Sequence, residues 1–168
     1  LPTRAGWGFG LTLLVMLLAS INYQLNLGYA LTFLLGGAGL AALHQTHGNL
    51  RRLTLRLRPP APVFAGDAVA LEVVLDNPGA ERHAIGLGLA DAGRDALAHV
   101  DVGPQGSASA HLRFTAPARG RQAVPLLRAE THFPLGLFRA WTLWQPAAQV
   151  LVYPAPEAPP PPLPAGRG

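Results

Sequence analysis

Two apolar runs open the chain, Trp7 to Ile21 and Leu27 to Leu43, separated by the polar turn Asn22-Tyr23-Gln24-Leu25-Asn26. No charged residue occurs between Arg4 and Arg51. A hydrocarbon core about 30 Å thick takes roughly 20 uncharged residues per helical crossing, so the stretch is long enough for two. As one helix it would measure roughly 70 Å and bury Asn22, Gln24 and Asn26 in lipid, where polar groups are expensive. The pattern therefore predicts a two-helix transmembrane hairpin over residues 1–48. Trp7, Tyr23 and Tyr29 fall near its predicted interfaces, where amphipathic rings prefer to sit. Gly6 with Gly10, and Gly37 with Ala41, form small-xxx-small pairs, although glycine is common in membrane helices without marking a contact.

From Leu53 the period changes from helical to alternating. Leu53, Leu55 and Leu57 alternate with Thr54, Arg56 and Arg58, the signature of a half-buried strand beginning almost at the bilayer. Pro59 to Pro62 ends it, and Val63-Phe64-Ala65-Gly66-Asp67 reads as a short edge segment and turn. Val69, Leu71, Val73 and Leu75 then share one face, followed by the turn Asn77-Pro78-Gly79 and by Ile85, Leu87 and Leu89. After a turn over 91–95 come segments at Ala96 to Val102, Ser107 to Phe114, Gln122 to Thr131, Leu137 to Trp144 and Ala148 to Tyr153. Pro125 places the Gln122 segment at a sheet edge. About eight short strands spaced by roughly ten residues predict an antiparallel immunoglobulin-like β-sandwich over 49–153, with a small β-barrel as the alternative. Residues 154–168, with prolines at 154, 156, 159–162 and 164, predict an extended linker or tail.

Charge supplies the topology. All 13 basic residues are arginines, and the formal charge is +4. The β region is near neutral, with seven arginines against eight acids between Pro59 and Tyr153. The surplus sits at Arg4, Arg51, Arg52, Arg56 and Arg58, on either side of the hairpin, which is the positive-inside pattern and predicts a cytoplasmic β domain on an inner-membrane anchor. Basic and aromatic residues are not interleaved as nucleic-acid binding requires. A rival reading takes Arg4 and Leu11 to Leu18 as a secretory signal, which would put the β region outside the cytoplasm as a binding domain; no small-x-small cleavage site follows. The opening Leu1 and the loose tail read as the ends of a piece of a longer product, or of one with an unusual start codon.

Candidate chemistry is sparse. Without cysteine there is no disulfide, thiolate nucleophile or thiolate metal site. Ser20, Ser107 and Ser109 lie in no nucleophile elbow, and a chain without lysine has no phosphate-binding lysine loop. His44 and His47 have metal-pair spacing but no third ligand, and Asp91, Asp95 and Asp101 lack the calcium-loop pattern. His83, His99, His111 and His132 share no spacing, so no enzyme and no cofactor are predicted.

Two compact signatures remain: Arg119-Gly120-Arg121, and Phe133-Pro134-Leu135-Gly136-Leu137-Phe138-Arg139-Ala140-Trp141. The second reads as a turn at Pro134 and Gly136 leading into a strand with Leu137 and Trp141 on one face and Phe138 on the other. Aromatics this dense ordinarily fill a small core and less often form a docking patch. The order of two spans, a basic juxtamembrane strand, Val63 to Asp67, Arg119-Gly120, Pro134 to Trp141 and Val152-Tyr153-Pro154 resembles the N-terminal half of the bacterial domain-of-unknown-function fifty-eight family. In that family a von Willebrand A-like region follows the Tyr-Pro end, and members are often encoded beside MoxR-type AAA+ ATPases and transglutaminase-like membrane proteins. The resemblance implies a non-catalytic membrane scaffold working with such an ATPase in envelope complex assembly. Arg119, Gly120, Pro134, Leu135, Gly136, Leu137, Phe138, Trp141, Tyr153 and Pro154 carry the motifs, and Arg4, Trp7, Tyr23, Arg51, Arg52, Arg56 and Arg58 are expected to face lipid or set topology.

Overall fold

In the computed structural model, residues 1–93 and 96–156 are described; Arg94 and Asp95 of the predicted 91–95 turn, and most of the proline-rich tail, lie outside them. Two helices lead, α1 (Arg4–Tyr23) and α2 (Asn26–Asn49), both long and apolar enough to cross a membrane. Thr3 caps α1, its hydroxyl accepting the Gly6 N–H at 3.1 Å, and Gln24 closes it in the left-handed region with φ 51°. Trp7 and Tyr23 are exposed at opposite ends of α1, about 24 Å apart along the axis.

The helices run antiparallel. A Cβ on Gly28 would overlap the Ser20 hydroxyl, and one on Gly39 would stand 2.9 Å from the Phe9 ring. The inner stripe of α2 is Gly28, Thr32, Leu35, Gly39, Ala42, Thr46 and Asn49, at alternating spacings of four and three, and Phe9, Leu13, Met16 and Ser20 repeat the spacing on α1. Small residues at heptad positions let the backbones approach closely, which is how helices associate where lipid removes the hydrophobic drive. The two small-xxx-small pairs do not form this contact. A Cβ on Gly10 or Gly37 would meet nothing within 4 Å beyond its own helix, and Gly6 faces the β region.

Ten strands follow among the described residues: β1 (Thr54–Leu57), β2 (Val63–Phe64), β3 (Ala68–Asp76), β4 (Arg82–Leu89), β5 (Ala98–Val102), β6 (Ser107–Thr115), β7 (Gly120–Ala123), β8 (Leu127–Thr131), β9 (Ala140–Trp144) and β10 (Gln149–Tyr153). They form three sheets, ordered β1-β3-β6, β2-β10-β7 and β5-β4-β8-β9. All pairings are antiparallel except β10 with β2. The described strands close no barrel, because each sheet ends in edge strands rather than joining the next. One core draws on all three sheets: Val69, Leu71, Val73 and Leu75 from β3, Ile85 and Leu87 from β4, Ala110 and Leu112 from β6, Leu127 and Ala129 from β8, and Val150 and Val152 from β10.

Two predicted strands are corrected. The segment from Gln122 to Thr131 is two strands in different sheets, broken where Pro125 lacks an N–H to continue a ladder. The strand expected from Leu137 starts only at Ala140. The backbone of 137–139 is taken up instead by the N-terminal residues: Thr3 N–H donates to the Leu137 carbonyl at 2.9 Å, Arg139 N–H to the Leu1 carbonyl at 2.8 Å, and Pro2 bridges Phe138.

Candidate functional site

The ends of both helices meet the Phe133–Trp141 signature. At the foot of α1, the Thr3 hydroxyl lies 2.7 Å from the Gly136 carbonyl and 3.0 Å from that of Leu137, and a Cβ on Gly6 would overlap the Leu137 oxygen. Glycine at position 6 is therefore required by the β region. At the foot of α2, Thr46 donates to the Phe133 carbonyl at 2.6 Å. Asn49, 4% exposed, donates to the His83 carbonyl at 2.6 Å and the Thr131 hydroxyl at 2.8 Å, and accepts the His83 N–H at 3.2 Å. Arg82 donates to the Gly48 carbonyl at 2.8 Å, placing its cation at the negative end of the α2 dipole. Gly136, at φ +68°, makes the turn between these two contacts, and its N–H returns to the His132 carbonyl at 2.8 Å.

This placement corrects the expectation that the signature fills the core. None of residues 133–141 belongs to the buried cluster; Leu135 is 58% exposed and Trp141 45%, the latter with the Arg139 guanidinium 5.8 Å from its ring centre. The segment is a collar around the helix feet. Its outer side chains are left uncovered because its backbone is spent on α1 and α2 rather than on the sheet.

The other motif residues gather in the β2-β10-β7 sheet. Val152 pairs with Val63 on one side and Gly120 on the other, so Val63 to Asp67, Arg119-Gly120 and Val152-Tyr153 form one neighbourhood. Gly120 enters β7 at φ +110°. The Phe64 and Tyr153 rings meet in a tilted arrangement, their centres 6.1 Å apart, and both are exposed, as is Leu151. The patch lies far from the helices: the Asp76 end of β3 lies opposite Thr54, near the joint, and its nine residues rise about 30 Å to Ala68 beside Asp67.

The arginines around the helix pair divide into two groups. Arg56 pairs with Asp76 at 2.8 Å and Arg58 with Glu72 at 3.2 Å, along the outer face of β1 and β3. Arg51 and Arg52, just past α2, make no ion pair among the described residues, and neither does Arg4. As Arg113, Arg119 and Arg121 do on the β region, Arg4, Arg51 and Arg52 thus leave unpaired positive charge at the helix feet. Arg139 joins it there, a residue that sequence reasoning passed over; its signal was a cation embedded in the aromatic collar motif.

One ion pair lies inside the β5-β4-β8-β9 sheet region. Arg128 Nε is 3.3 Å from a Glu130 oxygen, and Glu130 is 1% exposed. Opposite them Gly88 and Gly86 make room for the Leu97 side chain, which would stand 2.7 Å from a Cβ on Gly88. Among the described residues no three His, Cys, Asp or Glu side chains converge as a metal site would require.

Fold and site together define an apolar two-helix hairpin, long enough to cross a membrane, hydrogen-bonded at both feet to a β region. No protein-family model matches the chain, and no curated protein matches it.

Proposed function

We propose that the chain is a non-catalytic scaffold held in the bacterial inner membrane by its hairpin, with both helix feet and the β region cytoplasmic. The observation that carries this reading is the collar: Thr3, Thr46 and Asn49 hydrogen-bond α1 and α2 to residues of the β region, so the anchor fixes the orientation of what it carries. The same contacts favour a retained α1 over a cleaved signal, because removing it strips Thr3 from the Leu137 backbone. Unpaired arginines at the feet support the cytoplasmic side. The β region is read as an immunoglobulin-like sandwich, with β1-β3-β6 and β5-β4-β8-β9 facing across the shared core. The distal Phe64, Leu151 and Tyr153 patch is the surface offered to a protein partner, and the motif resemblance points to a MoxR-type AAA+ ATPase acting in envelope complex assembly.

A chain without cysteine makes the topology test clean. Single cysteines at Gln24 in the helix turn and at exposed His111 on β6 are probed with a membrane-impermeant maleimide in intact spheroplasts. The expected result is labelling at 24 in intact cells and at 111 only after lysis; labelling at 111 in intact cells overturns the cytoplasmic assignment. A photo-crosslinker at Phe64 or Tyr153 tests the partner, with an AAA+ ATPase as the expected adduct and its absence counting against that partner.

A further inference from the structure

A cavity of about 660 Å³ at the foot of α1 is lined by Leu1, Pro2, Thr3, Arg4, His132 and Arg139. Arg4 at the foot of α1 and Arg139 of the collar both carry positive charge, and among the described residues no carboxylate lines the space. Neither Arg4 nor Arg139 makes an ion pair among the described residues, although the collar brings them to one rim. Arg139 rests over Trp141, which limits its swing. Trp7, one helical turn along α1 from Arg4, is exposed, as a side chain at a headgroup boundary would be.

From this arrangement we infer that the cavity is a binding site for the phosphate of an anionic phospholipid, seated between Arg4 and Arg139 with its acyl chains running along α1. The inference rests on the membrane-anchor reading above. Cations aligned around a pocket at the membrane boundary recognise a phosphate diester by charge and by directed N–H donors, which a zwitterionic headgroup partly cancels with its own ammonium. The acyl chains distinguish this ligand from free phosphate: an apolar path leads away from the cavity along the exposed Leu11, Leu14 and Leu18 of α1.

The test uses the full chain in detergent micelles, with native mass spectrometry counting retained phosphatidylglycerol against phosphatidylcholine. Wild type is expected to retain the anionic lipid selectively. R4Q/R139Q is expected to weaken that retention by about thirtyfold, the ratio for two basic side chains near a charged headgroup. R113Q, on an exposed face of β6, is expected to leave it unchanged. Inorganic phosphate should not displace the lipid; displacement at equal concentration would make this a soluble-anion site and overturn the assignment. Equal retention of both lipids, or unchanged retention in R4Q/R139Q with a wild-type circular dichroism spectrum, would also overturn it. Failure of the anchor reading is separately visible, since the wild-type chain would then stay monodisperse with neither detergent nor bilayer.

Discussion

Replacing Asn49 with alanine removes three hydrogen bonds from the joint between α2 and the β region, two donated and one accepted. A net contribution of about 1 kcal/mol per bond gives about 3 kcal/mol for the set. His83 is only half-buried, so water recovers part of this for its backbone groups, leaving about 2 kcal/mol, or roughly a thirtyfold rise in the population of the undocked joint. Hydrogen exchange in a detergent micelle reads this directly, because the His83 N–H donates to Asn49 itself and the Phe133 N–H to Thr131, one of its partners. Protection at His83 and Phe133 should fall by about that factor, while the β3–β6 ladder, which shares no bond with Asn49, keeps its own. Unchanged exchange at both amides would refute the joint. Equal acceleration in β3 and β6 would refute it differently, by making Asn49 part of the core's cooperative unit.

The remaining predictions concern packing. Gly28→Ala and Gly39→Ala drive a methyl into Ser20 or Phe9 and should each weaken the helix pair by about 1–3 kcal/mol, measured by the denaturant needed to separate the helices in micelles; Gly37→Ala, facing open space, should change nothing. Arg128→Leu leaves the buried Glu130 carboxylate without its cation and should destabilise the β region by about 3–5 kcal/mol in urea melts, with Arg128→Leu/Glu130→Leu recovering most of the loss. Failure of the double substitution to recover would show that the pair holds the sheet by more than mutual neutralisation.

The chain's own residues determined the two helices, because a long uncharged apolar stretch interrupted by Asn22, Gln24 and Asn26 breaks at that polar turn rather than running on as one helix. They also determined the inward faces of β3, β4 and β6, since a period of two leaves only one face for Val69, Leu71, Val73 and Leu75. The inner stripe of α2 is also written in the heptad spacing of Gly28, Thr32, Gly39, Ala42 and Thr46, rather than in the small-xxx-small pairs. Tertiary structure alone decided the role of the Phe133–Trp141 signature. Its aromatics read as core from composition, yet a backbone segment can satisfy its N–H and C=O groups against a distant chain end as readily as against the next strand, and no local pattern records which it will do. The same holds for Arg56 and Arg58, whose neighbours Asp76 and Glu72 are brought close by the β1–β3 pairing, and for Arg4 and Arg139, which lie at one rim only because the collar closes on the first helix.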